Sequence, residues 1–380
     1  MFLPLLLAAA VSTAAPIDPS GFYDATHHWR KIKEPERVMQ PLPDQPSYDA
    51  KQVREIAANV LLFQRANGGW PKDYDMLAIL TEDQKKALRD SHPKTDTTFD
   101  NHTTHSQVDY LARAYVLLGD PAYRAACVRG FDYLVAQQYP HGGFPQRTPG
   151  AKGIAGLITF NDGVMIGCLT VLKAAAEQQP HFAWLDDARR ARAVDAVQRG
   201  LACLLRCQIK ADGRLTGWGQ QHDPVTFETV GARTFELACI APGDTAEVGQ
   251  FLMSVPAPSP EIVRAVDAAM AWLTKVKLTG IRVDRVPAPR EEFVRHASDY
   301  DVVVVADEKA RPLWARMVEV GSDRPIFASR DGIKRYSLAE VDRERRTGSG
   351  WYLLSPVRVV EREYPKWRAG LRPAQGGLLR

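Results

Sequence analysis

Carboxylates, carboxamides and cations recur in short clusters far apart in the chain. They are Asn67-Gly68-Gly69-Trp70-Pro71-Lys72, Phe99-Asp100-Asn101, Phe160-Asn161-Asp162, Trp218-Gly219-Gln220-Gln221-His222-Asp223 with Ala232-Arg233, and Ser329-Arg330-Asp331-Gly332. Two of them set a carboxylate beside a side-chain carbonyl. Hard oxygen donors of this kind suit Ca²⁺, which takes about six to eight oxygens and accepts waters and substrate groups among them. The chain has no contiguous EF-hand loop, so such a site would be assembled from separate loops. Arginine binds a carboxylate through two parallel hydrogen bonds, which makes Arg233 and Arg330 suitable readers of an acidic ligand. Together the clusters point to chemistry on an acidic sugar polymer. Each also has a plainer explanation. Asp100-Asn101 and Asn161-Asp162 stand at the start of helix-like runs, where N-capping contributes about 1 kcal/mol. Arg233 has Glu236 three residues on as an ordinary ion-pair partner. The basic stretch Arg330, Lys334, Arg335, Arg343, Arg345, Arg346 also fits a solvated face.

Other chemistries find less support. Histidines are present at 92, 102, 105, 141 and 222, but no Gly-x-Ser-x-Gly nucleophile elbow accompanies them. A glycosidase needs two positioned carboxylates, which Asp100 and Asp162 could supply, so hydrolysis stands as the enzymatic rival. A polysaccharide-binding protein without turnover is the non-enzymatic one. Trp70, Trp218 and Trp351 neighbour glycines and suit either sugar stacking or the core. Cys127, Cys168, Cys203, Cys207 and Cys239 lie in apolar stretches without a zinc spacing, and read as buried small hydrophobes.

These residues must be positioned by a large scaffold. The chain of 380 residues, 45% apolar and 25% charged, is ordinary globular material. Its formal charge of +4 favours an anionic partner only weakly, and no basic block is dense enough for nucleic acid. Residues 1–15 read as a secretory signal, with a short apolar run followed by small residues, which implies a secreted or periplasmic protein. No later segment is long and apolar enough to span a membrane. Residues 16–48 carry six prolines and are expected to form an extended leader outside the core. From residue 49 the period is helical, with runs near 53–63, 101–118, 121–138, 161–178, 187–209 and 260–277.

A repeat underlies this pattern. Gln64 to Pro71 resembles Gln137 to Pro145, and a fainter copy begins at Gln208. The spacing of about seventy residues admits two helices and their loops, so each unit is a helical hairpin ending in a Gly-rich turn. On this reading the Gly-Gly-aromatic-Pro pieces are turns, with Lys72 the exception. After about 280 the pattern changes. Asp301 to Ala306 reads as a strand, and the rest as a small β-containing C-terminal extension up to 360, with 361–380 a tail. The expected fold class is all-α dominated, a toroid of helical hairpins.

The ordered motifs resemble the pectate lyases of polysaccharide lyase family ten. The resemblance runs from Val53 to Tyr352 and includes Asn67 to Lys72, Phe99-Asp100-Asn101 with Thr104 and Gln107, Ile158 to Gly163, Trp218 to Pro224, Ala232-Arg233, Arg330 to Tyr336 and Arg345 to Tyr352. It implies an (α/α) toroid and Ca²⁺-dependent anti β-elimination on de-esterified polygalacturonate by a monomer. By motif match, Arg233 takes the place of the base, and Asp100 lies at the active centre beside the Ca²⁺ ligands. Asp162 and Asn101 fall where Ca²⁺ is held. Lys72, Arg330, Lys334 and Arg335 fall among the groups that hold substrate carboxylates. An arginine base implies an alkaline optimum, since keeping the side chain neutral near pH 8.5 costs about 5 kcal/mol. The sequence departs from the family pattern at His102 and His105, where smaller residues are expected, and at Pro242-Gly243-Asp244-Thr245, read as a turn.

Overall fold

The computed structural model describes residues 16–371. The proposed signal at 1–15 and the end of the tail lie outside them. Nine helices carry the main body: α1 Tyr23–Lys31, α2 Val53–Phe63, α3 Glu82–Asp90, α4 His105–Leu118, α5 Pro121–Ala136, α6 Val164–Ala176, α7 Asp187–Cys207, α8 Pro242–Met253 and α9 Pro260–Lys275. Consecutive helices α4–α5, α6–α7 and α8–α9 pack as hairpins. Across hairpins, α4, α6 and α8 neighbour one another as an inner row, and α2, α5, α7 and α9 as an outer row. This is the expected toroid of helical hairpins. One continuous core fills the space between the rows, with Val60, Phe63, Leu111, Phe131, Leu169, Leu204 and Leu273 all fully buried. Each such side chain contributes about 1.5–3 kcal/mol by leaving water.

The repeat has a specific physical basis. Gln64, Gln138 and Gln208 are buried where α2, α5 and α7 end. Each Nε2 donates twice at 2.9 Å, once to the following turn (Gly68, Gly142 or Thr216 carbonyl) and once to the next outer helix (Ala126, Ala196 or Ala265 carbonyl). The glutamine thus closes its own turn and clamps the neighbouring hairpin. Gly68 and Gly142 sit at φ +96° and +97°, and a Cβ there would meet the Arg129 or Arg199 carbonyl oxygen at 2.6 or 2.0 Å. Trp70 and Trp218 are fully buried and donate to the Val60 and Leu204 carbonyls at 2.7 Å. Trp314 donates likewise to Leu273 at 2.8 Å and marks a fourth position of the ring. With Trp351 also buried, these tryptophans are core residues and not sugar platforms.

Three expectations change. The Pro-rich stretch 16–48 is not an extended leader, because α1 lies within it and places Trp29, with Phe22 just before the helix, in the main core. The Pro242-Gly243-Asp244-Thr245 segment is the first turn of α8, with Pro242 at N1, where its missing N–H costs nothing. At the C-terminal end, Val359–Glu363 and Tyr364–Gly370 continue as helix against α8 and α9, so residue 360 falls inside a packed element.

The strand at 301–306 is the end of Ala297–Ala306, which pairs antiparallel with Ile281–Glu292 as a long ribbon. Around it, the extension builds a second small core from Cys239, Met317, Phe327, Leu338 and Trp351. All five cysteines are free and buried, and Cys203 Sγ lies 4.0 Å from Cys207 Sγ without a bond.

Candidate active site

The acidic half of the site is made by three loops that precede inner-row helices or follow α2. Neither α4 nor α6 has a side-chain N-cap. Instead Asn101, His102, Thr104 and Asp162 adopt φ of 52°, 56°, 66° and 55°, a region that side chains other than glycine enter at a cost. Capping therefore does not explain the two carboxylate–carboxamide pairs. The loops are joined by the His102 amide, which donates to the Asp162 carbonyl at 3.0 Å. Space for the unexpected histidines comes from glycines. A Cβ at Gly163 would lie 2.2 Å from the His102 ring, and one at Gly167 2.2 Å from the His105 ring. Burial holds His105 neutral, lowered to about 3.

Lys72 Nζ donates to Asp100 Oδ2 at 2.8 Å and lies 3.7 Å from Asp73. Burial works against its charge, but Asp100 and Asp73 outweigh it and keep the ammonium protonated well above its usual range. Asn101 Nδ2 donates to Asp73 Oδ1 at 2.5 Å, and Asn161 Nδ2 to Asp162 Oδ2 at 2.5 Å. Asp162 is pushed up to about 7 by burial and then by the negative charge of Asp100, with Arg316 partly offsetting both. Further into the ring, burial pushes Asp244 up to about 6, and burial with Asp244 and Asp162 pushes Glu247 up to about 8.

The basic half is organised by one aromatic ring. Arg233, Arg330 and Arg345 place their guanidinium carbons 4.9, 5.3 and 4.2 Å from the Phe235 centroid. Arg233 is held by Glu236, with Nε at 2.8 Å and Nη2 on the other oxygen, as an ordinary ion pair would be. That bond, ahead of all else, raises the basicity of Arg233, with Asp162 and Asp100 adding to it. Arg330 and Arg345 share a single carboxylate, Glu344, at 2.8 and 3.3 Å.

The remaining cations do not join this group. Lys334 pairs with Glu319, Arg335 with Asp331 at 2.6 Å, and Arg346 with Asp301 at 2.6 Å. Arg343 caps carbonyls of Pro289 and Tyr300 in the ribbon. The basic stretch of the sequence is thus divided between the Phe235 group and structural contacts. Reading the sequence missed Phe235, Arg316 and Asp73. Arg316 lies 4.0 Å from Glu236 and directly follows the small strand that carries Trp314. The repeat of tryptophans was the available signal for it.

The residues fit a hard cation. Asp100 Oδ1 and Asn161 Oδ1 are buried without a hydrogen-bond partner, and the mutual strain of two carboxylates is what a cation relieves. No group of three or more His, Cys, Asp or Glu among the described residues has metal-site geometry, so the donor set would mix carboxylates with amide carbonyls.

Two solved structures show the same architecture. The family 10 polysaccharide lyase from Cellvibrio cellulosa matches with a TM-score of 0.68 and 27% identity over 87% of this chain and 98% of that one. A mutant of that lyase in complex with trigalaturonic acid matches with a TM-score of 0.69 and 27% identity over 85% of this chain and 97% of the other. The fold and site therefore define a polysaccharide lyase on a helical toroid. The pectic acid lyase family model matches residues 64–360, and the chain belongs to that family as a pectate lyase. No curated protein matches the chain. No helix among the described residues is long and apolar enough to cross a membrane.

Proposed function

We propose that the protein is a secreted or periplasmic enzyme cleaving de-esterified polygalacturonate by Ca²⁺-dependent anti β-elimination. The observation that supports this most is the opposition of two buried carboxylate–carboxamide loops, with unpartnered oxygens, to three guanidiniums gathered on Phe235. The C5 proton of galacturonate is α to a carboxylate and weakly acidic. Ca²⁺ bound to that carboxylate supplies electrostatic stabilisation of the enolate-like charge. Asp162 and Asn101 would hold the cation, and Asp100 and Asn161 would offer further oxygens. Lys72 and Arg330 orient substrate carboxylates. Lys334 and Arg335 belong to outer contacts, exchanging Glu319 and Asp331 for the polymer.

Arg233 removes the C5 proton, the C4–O bond breaks on the opposite face, a C4–C5 double bond forms and the leaving oxygen is protonated from water. One observation favours a second assignment of the base. Glu236 strengthens the hold of Arg233 on its proton, whereas among the described residues Arg330 divides one carboxylate, Glu344, with Arg345. The two arginines are separated by Arg233→Ala and Arg330→Ala, assayed for turnover and for polymer binding. The base is the one whose loss abolishes turnover at unchanged binding. Full activity in Arg233→Ala removes Arg233 from the role. Hydrolysis through Asp100 and Asp162 is set aside by membership of a lyase family.

A further inference from the structure

The helix α1 precedes the segment that matches the family, which begins at residue 64. It is nevertheless docked on the acidic half of the site. Arg30 donates to Asp75 Oδ2 at 2.9 and 2.8 Å, and Thr26 donates to Asp75 Oδ1 at 3.0 Å. Trp29, fully buried, anchors the same helix in the core. This docking sets His28 Nδ1 3.6 Å from Asp73 Oδ1, the oxygen that also accepts Asn101 Nδ2 at 2.5 Å. Asp73 is buried at φ 64°, and its other oxygen has no hydrogen-bond partner. A carboxylate held this way can only receive a donor, so it fixes which end of the Asn101 amide faces it. With Nδ2 turned to Asp73, the carbonyl Oδ1 is turned away from it, and that is the atom a hard cation takes.

We propose that Asp73, beside which α1 places His28, is a positioning residue that orients the Asn101 carbonyl for the cation. The inference rests on the Ca²⁺ assignment above. Partners of this kind fix a ligand's orientation, and their loss typically costs about 10–100-fold in metal affinity.

The test is calorimetric titration of the full chain with Ca²⁺, without substrate. Asp73→Ala is expected to weaken binding about tenfold or more, and His28→Ala by a smaller factor. Asp73→Asn keeps an acceptor for Asn101 while losing the charge, and is expected to recover most of the affinity. Asn101→Asp offers the cation a better ligand by charge alone, but faces Asp73 with a second carboxylate and is expected to bind more weakly than the natural chain. The double variant Asp73→Asn with Asn101→Asp restores a donor–acceptor pair and is expected to regain binding even if Asp73→Ala does not fold. Equal losses in Asp73→Asn and Asp73→Ala would make charge, not orientation, the cause and overturn the proposal. So would tighter binding by Asn101→Asp alone. No heat from the natural chain would remove the Ca²⁺ reading and this proposal with it, whereas binding unaffected by any of these variants overturns the proposal alone.

Discussion

At the scale of single residues, the site sets a guanidinium that holds its proton near a carboxyl group whose proton is also held more tightly than usual. Glu236 stabilises the charged form of Arg233, so neutralising Glu236 should make Arg233 easier to deprotonate. If Arg233 is the base, Glu236→Gln shifts the rising limb of the pH profile of kcat/KM to lower pH. A limb that does not move points to Arg330. Gly163→Ala should displace His102, whose ring leaves no room for a methyl group, and lower activity through the Asn101–Thr104 loop. A Gly163→Ala variant with natural kcat and KM would show that this loop tolerates movement. The sequence singled out Asp100, Asn101, Asp162 and Arg233 through ordered motifs that resemble a known family, and the fold brings Asp100 and Asp162 near enough to Arg233 to act on its charge. Asp73 and Phe235 were not legible there, because their meaning lies in partners brought from elsewhere in the chain. Asp73 acquires its role through His28 and Asn101, and Phe235 through Arg330 and Arg345. Lys334 and Arg335 looked equivalent to Arg330 because adjacency in sequence hides that each has its own nearby acid.

At the scale of elements, the glutamine clamps make the hairpin repeat cooperative. Gln138→Ala leaves the Gly142 and Ala196 carbonyls short of a donor in a buried setting, which should cost about 1–3 kcal/mol, measured as a lower midpoint in denaturant with kcat per folded molecule preserved. Gly142→Ala should be worse, since both the positive φ and the Arg199 carbonyl oppose a Cβ. Stability equal to the natural chain in either variant would contradict the clamp. The clamp was visible in the sequence as a recurrent glutamine and aromatic, which is why the toroid could be read. Helices α1 and α8 were less visible for a common reason. Prolines flank or begin them, and proline near a helix start reads like proline in a turn until tertiary contacts decide. The α1 helix is short and owes its place to Trp29 and the Arg30–Asp75 bond more than to its own propensity.

At the scale of the whole molecule, the ring gathers acidic side chains that burial keeps from ionising readily, from Asp162 through Asp244 to Glu247. Glu247 ionises near pH 8 in the folded chain and near its ordinary value when unfolded. Below both values it has no effect on stability. As pH rises between them, the unfolded chain releases its proton first, so the folded state is progressively disfavoured up to about 8. Glu247→Gln should therefore raise Tm at pH 8.5 and leave it almost unchanged at pH 4. An equal gain at both would show that packing and not charge is responsible. The same ring carries the central claim, elimination dependent on a cation held by Asp162 and Asn101. It is tested most directly by incubating the natural chain with de-esterified polygalacturonate and Ca²⁺ and following near-ultraviolet absorbance before chelation, after chelation and after adding Ca²⁺ back. The account predicts a rising absorbance from the unsaturated product, lost on chelation and recovered with Ca²⁺. Chain cleavage without that absorbance, or a rate indifferent to the chelator, would contradict it.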